Sequence, residues 1–344
     1  MQRALSLDQS PSLSLTLPLF ANVPFFGLLA AMLALYSGPE LFNSRWHPAI
    51  LALTHAWTLG IVGSAMFASL VHILAVACNV RIPVARGRAL IFWSMLGAGT
   101  LLLMTGFLSW QRWAYTLAGI CLAFALGGYL LTVMLALWRS RRDIFRGAKE
   151  VVAPIRLAML GLLLTVSTGL AMLVALTNEQ AVANLLNLHV MMGLAAWTGL
   201  LLIAMSFQLL PIFQITELYP APLVRWLPWV VGALLIAQWG LSSLPGSWLP
   251  VRDLVTYLIF LSYGLWAVIT CAPLWRRTRP TAGASSLFGY SSLCSLVVAI
   301  LLNFWAHSPA ASNAELAMGV LLIMGALGSV VCGMLYTIVP FLLW

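Results

Sequence analysis

Seventeen basic, eight acidic, five histidine and five cysteine side chains hold nearly all the ionisable chemistry of this 344-residue chain. Two histidines stand out. His55 opens the segment HAWTLGIVGSAMFASLVHILAV and His189 opens HVMMGLAAWTGLLLIAMSFQLLPIF, each a few residues into an apolar run. At 1.5 Å of rise per residue, His55 lies about 10 Å inside its run, and His189 lies at a similar outer depth, a few residues into its own. Neutral imidazole is a good ligand for copper and iron. Two imidazoles at matched depth on related helices could face a common centre and contact a metal or a cofactor. The alternative is a neutral histidine hydrogen-bonded to a neighbouring carbonyl or hydroxyl. His72 is separate: 17 residues past His55 is about 25 Å along a helix, too far to share one metal with it. It could be a ligand of its own, but a boundary position or a bond within the bundle explains it more simply. His47 and His307 each stand just ahead of a proline (Pro48, Pro309) and read as interfacial. The cysteines, Cys78, Cys121, Cys271, Cys294 and Cys332, form no CxxC pair. Their spacing supports neither zinc nor disulfides, so they read as small, buried apolar residues.

The elements that position these residues follow from composition. Hydrophobic residues make up 62% of the chain and charged residues 7%, against about 25% charged in water-soluble domains. There is too little polar side chain to cover a soluble surface, which excludes soluble enzymes, nucleic-acid-binding domains and disulfide scaffolds. A bilayer core of about 30 Å takes roughly 20 apolar residues of helix. Such runs fall near 17–38, 49–78, 88–109, 114–138, 156–177, 186–210, 226–245, 253–274, 286–306 and 315–341. The expected fold is therefore all-α, a polytopic bundle of about ten transmembrane helices in one integral membrane domain over residues 1–344. Pro24 is expected to interrupt the first span. Residues 1–16 read as a short polar tail without a signal peptide pattern.

The formal charge of +9 suggests nucleic acid until its positions are read. Fourteen basic residues fall on the N-terminal tail and alternate loops: Arg3; Arg81, Arg86, Arg88; Arg139, Arg141, Arg142, Arg146, Lys149, Arg156; Arg225; Arg276, Arg277, Arg279. Only Arg45, Arg112 and Arg252 fall on the other side. The positive-inside rule places the richer side, with both termini, in the cytoplasm. This fits the inner membrane of a bacterial-type cell. The partner implied is the lipid bilayer, with no nucleic acid. Trp46, Trp110, Trp113, Trp138, Trp226, Trp229, Trp248, Trp275 and Trp344 mark span ends, where amphipathic rings suit the headgroup level.

Three spans resemble one another. The second starts at His55, the sixth at His189, and the tenth reads ELAMGVLLIMGALGSVVCGMLYTIVPFLLW from Glu315. All are rich in small residues, which let helix backbones approach closely. The sixth and tenth close on an aromatic, three residues and a proline (Phe207 to Pro211, Tyr336 to Pro340). Spans two, six and ten are four apart, so a four-helix unit repeats, and the third unit stops after two helices.

These residues resemble a known family. His55 with its small-residue helix, following Arg45 and His47, resembles the second helix of the catalytic subunit of heme-copper oxidases. His189 with Gly193, Gly199 and the Phe207–Pro211 ending is similar to that subunit's sixth helix, most closely in C-type oxidases. The ending GMLYTIVPFLLW is similar to that of oxidase-subunit-I-like membrane proteins. The likeness is strongest over residues 45–76, 187–213 and 315–344. It implies a heme-copper-oxidase-subunit-I-like fold, with His55 as a heme axial ligand and His189 as a copper or heme contact.

The chain departs from that family where chemistry matters. The seventh span has no histidine where the family has an adjacent copper-binding pair, and the tenth has none where it supplies ligands to both hemes. Copper centres generally take about three imidazoles and six-coordinate heme takes two axial ligands. The inner half also offers only Thr58, Ser64, Ser69, Ser206, Gln208 and Thr337 for proton transfer. The expectation is a protein without oxygen reduction, proton pumping or other catalytic residues. It would bind heme or copper through His55 and His189 in redox, nitric-oxide or metal handling, as the resemblance to the NnrS family implies. A non-catalytic membrane subunit or assembly partner without cofactor is the alternative, with other membrane subunits as its partners. A small-solute transporter is a third, for which no pair of broken helices is evident.

Overall fold

The computed structural model describes residues 9–83, 85–180, 182–278, 283–305 and 314–343. Ten helices there are long and apolar enough to cross a membrane, and no strand occurs among the described residues. They are α1 Leu13–Ser37, α2 Pro48–Cys78, α3 Arg86–Ser109, α4 Arg112–Arg139, α5 Lys149–Thr177, α6 Leu185–Phe213, α7 Ala221–Ser242, α8 Gly246–Trp275, α9 Ala284–Trp305 and α10 Ala314–Pro340. Every expected span is present, with ends shifted by a few residues. The chain is thus an all-α, multi-pass membrane bundle. Pro24 does not interrupt the first span, because α1 runs continuously through both Pro18 and Pro24.

The loops sort onto two ends. At one end Asn79 donates to the Asp143 carbonyl, Arg81 to Gln9 and Thr278 to the Ile215 carbonyl. At the other, Arg45 pairs with Glu315 at 2.6 Å and Arg112 with Glu179. The arginine-rich loops therefore share one end and the His55 and His189 helix starts share the other. Arg3, Arg279, His307 and Trp344 lie outside the described residues.

The four-helix repeat is visible in the packing: α1 lies on α2, α5 on α6 and α9 on α10, while α3 pairs with α4 and α7 with α8. Helices α2, α6 and α10 meet in a small central cluster, where Val62, Ala65, Leu327 and Val331 are buried against Leu194 and Leu202. The three are not equally enclosed. The apolar stretch of α2 is 94% buried and that of α6 67%, but that of α10 only 28%. One flank of α10 packs on α9 and α2, while Val320 and Met324 stay exposed.

Each of the three carries an eight-residue π-helical segment: Ala56–Gly63, Met192–Gly199 and Leu321–Gly328. The wider turn has a cause in the side chains. Gly60, Ala196 and Gly325 hold equivalent places in the three segments. Gly60 faces Phe26 of α1, Ala196 faces Gly161 of α5 and Gly325 faces Ser295 of α9, all at distances that leave no room for a larger residue. Each segment is thus pressed onto the helix before it by small residues, which is how membrane helices gain contact where lipid gives no hydrophobic drive. Such π-bulges occur often at functional sites.

Buried polar groups pin the bundle. Asn22 of α1 donates to Ser64 and accepts from the Trp93 indole at 2.8 Å. The Tyr129 hydroxyl donates to the Phe67 carbonyl at 3.1 Å and the Tyr263 hydroxyl to the Ala195 carbonyl, within a π segment, at 2.6 Å. Phe67 lies parallel to Trp197 with ring centres 5.4 Å apart, joining α2 to α6. Of the cysteines, Cys78 alone is fully buried. Cys294 is exposed, because its place on α9 turns outward from the bundle.

Candidate metal centre

The π segments give the repeats a common register. From Ala56 to Met192 is 136 residues, and from Met192 to Leu321 is 129, the same interval as from Pro211 to Pro340. In this register His55 corresponds to Met191 and Val320, whereas His189 corresponds to Leu53 and Met318. The two histidines are offset by two residues, about 3 Å of helix. That is small enough for them to meet. Their ring centres lie 6.4 Å apart, with the planes inclined by only 23°.

Each ring is held by one nitrogen. His55 sits immediately before its π segment, and its Nδ1 lies 2.8 Å from the Leu51 carbonyl, one turn back on α2. His189 places Nδ1 3.1 Å from the Thr165 carbonyl of α5, with the Thr168 hydroxyl at 3.4 Å. Gly169 makes the seat for that ring: a Cβ there would lie 3.0 Å from His189 Cε1. Phe107 covers His55 with ring centres 5.1 Å apart, and Tyr115 meets Phe107 edge-on.

The tautomers follow from the partners. A carbonyl oxygen only accepts, so both Nδ1 atoms carry the proton and both Nε2 atoms carry a lone pair. Neither Nε2 has a hydrogen-bond partner among the described residues. An imidazole with Nδ1–H on a carbonyl and Nε2 free is the arrangement in which metal-bound histidines are oriented by their surroundings. Two imidazoles on opposite sides of one ion would have ring centres about 6.2 Å apart, given ~2.0 Å metal–nitrogen bonds and ~1.1 Å from nitrogen to ring centre. The observed spacing matches. At this end α2 is less enclosed: Leu53, Thr54, Trp57, Thr58 and Leu59 are half-buried, while α2 from Gly60 to Cys78 is buried at every position but Met66.

The donor set is short. Among the described residues no three histidine, cysteine or acidic side chains gather around one point. Two nitrogens do not make a structural zinc site, which takes four protein ligands, and calcium and magnesium take oxygen. Imidazole is a ligand for copper and for heme iron.

The other candidates separate from this pair. His72 lies near the arginine-rich end with Nε2 2.7 Å from the Thr16 hydroxyl and Nδ1 3.3 Å from Ser10. Both its nitrogens are engaged, and it fastens the start of α1 to α2. His47 caps α2 by accepting the Ala49 N–H. Glu315 is taken up by Arg45, which ties the start of α10 to the loop after α1. Sequence reasoning missed Asn22, Tyr129 and Tyr263, whose signal was a polar side chain in mid-span.

Compared with known proteins, the chain matches no protein-family model and no curated protein.

Proposed function

We propose that this chain is a membrane-embedded copper- or heme-binding protein on an oxidase-subunit-I-like bundle, its centre held by His55 and His189. The observation that carries the reading is the pair itself: two imidazoles 6.4 Å apart, each with Nδ1–H spent on a carbonyl and Nε2 free. His55 and His189 would hold the heme iron or the copper ion between them. Bound there, the metal would supply one-electron or nitric-oxide chemistry, while Leu51, Thr165 and Gly169 hold the rings in place. The arginine-rich end faces the cytoplasm of a bacterial-type inner membrane, so the centre lies toward the opposite surface.

Oxygen reduction and proton pumping do not belong to this reading. Among the described residues no third histidine, cysteine or acidic side chain joins the two imidazoles, and the hydroxyls of Thr58, Ser64, Ser206 and Thr337 each donate to a carbonyl of their own helix. The test is metal and heme analysis, with an optical spectrum, on protein purified from membranes. About one copper or one heme per chain is expected. Metal-free, colourless protein that stays folded and takes up neither on addition favours the second reading, a cofactor-free membrane subunit or assembly partner.

A further inference from the structure

A cavity of about 220 Å³ lies between α1, α3 and α4, at the arginine-rich end and far from the histidine pair. Val71 and Tyr129 close its back, both nearly fully buried. Its rim carries Ile91 and Phe124, which are 63% and 74% exposed on the lipid-facing side. Gly128 leaves part of it open, since a Cβ there would meet nothing within 4 Å. The lining is mostly apolar: the hydroxyls of Thr16 and Thr132 are engaged within the protein, and Arg88 is its one charged residue.

Arg88 spends one N–H on the Pro83 carbonyl at 2.6 Å, which fixes the guanidinium at the cavity mouth. A guanidinium has five N–H donors, so most remain for a ligand. Arg81 and Arg86 stand close by in sequence and are exposed. The site thus joins an apolar slot opening sideways into lipid with a fixed cation at the headgroup level. Basic pockets between membrane helices bind the headgroups of anionic lipids in this way.

We propose that this cavity is a specific site for an anionic phospholipid, one acyl chain entering past Ile91 and Phe124 and the phosphate resting on Arg88. The inference stands apart from the metal centre, since no lining residue belongs to it.

The test uses the full chain, delipidated in mild detergent and offered phosphatidylglycerol or phosphatidylcholine. Native mass spectrometry counts retained lipid, and thermal melting reads its effect. Wild type should retain one phosphatidylglycerol in preference to phosphatidylcholine and melt higher with it. Arg88→Gln should cut that preference about fivefold, the effect of one basic side chain on an anionic headgroup. Gly128→Leu, which fills the slot, should abolish retention, whereas Gly240→Leu, in open space on α7, should leave it intact. Equal retention of both lipids, unchanged preference in Arg88→Gln, or retention of a free fatty acid in place of phospholipid would each overturn the proposal.

Discussion

Gly161→Ala tests whether the π segment of α6 is held by backbone contact with α5. A Cβ on Gly161 would lie 2.6 Å from the Ala196 carbonyl carbon and 2.7 Å from the Trp197 nitrogen, where ordinary contact begins near 3.4 Å. The obstructing atoms are backbone, so no rotamer change relieves them and the helices must part by about 0.8 Å. Gaps of this size forfeit a quarter to a half of the attraction between facing atoms. Overpacking of well-packed sites costs about 1–3 kcal/mol, and rigid obstruction puts this one near the upper end. For a chain of this size that is a fall of about 4 °C in melting midpoint. Gly97→Ala is the control: a Cβ at Gly97 meets nothing within 4 Å, and alanine favours helix by up to ~1 kcal/mol. The assay is thermal unfolding in detergent, read by size exclusion of the surviving fraction. Because α5 also carries Thr165, the Gly161 variant should weaken metal retention too. A Gly161→Ala protein that melts with wild type would refute the close approach.

Three further perturbations probe the polar pins. Tyr263→Phe should destabilise by about 0.5–1.5 kcal/mol through loss of the bond to Ala195. A Cβ at Gly199 would sit 2.5 Å from that hydroxyl, so Gly199→Ala should cost less in the Tyr263→Phe background, and simple additivity in the double-mutant cycle would contradict this. Asn22→Leu leaves the Trp93 indole and Ser64 without their partner and should cost about 1–3 kcal/mol, against under ~0.5 kcal/mol for the exposed Asn178→Leu; equal melting of the two variants would show Asn22 to be dispensable. Glu315→Gln breaks an ion pair whose side chains are 43% and 61% exposed, so the loss should stay under ~1 kcal/mol and vanish in high salt; a larger, salt-independent loss would contradict that.

The helices were legible because lipid demands length and apolarity, a coarse signal that ten runs carry. Pairing α2, α6 and α10 was legible too, since His55, His189 and the prolines at 211 and 340 mark related segments. The π segments were not. Gly60, Gly63, Gly199, Gly325 and Gly328 read as close-packing glycines, and nothing local says that the turn must widen. That follows from which helix presses on them, a tertiary fact. The two-residue offset between His55 and His189 was hidden for the same reason, because only the π segments set the register. The seat for His189 lies on α5, in Thr165 and Gly169, where no repeat or motif points. Asn22 lies inside the first span, and nothing local says that its amide meets Ser64 and the Trp93 indole.

Metal retention in four purified proteins, wild type, His55→Ala, His189→Ala and His72→Ala, tests the paired centre most directly. Each is loaded with copper or heme, passed through a desalting column and analysed for metal and absorbance. The account predicts about one equivalent bound by wild type and by His72→Ala, and a loss of tenfold or more in affinity in each of the other two, since either missing imidazole removes half the donor set. Retention equal to that of wild type by His55→Ala or His189→Ala in folded protein would contradict it.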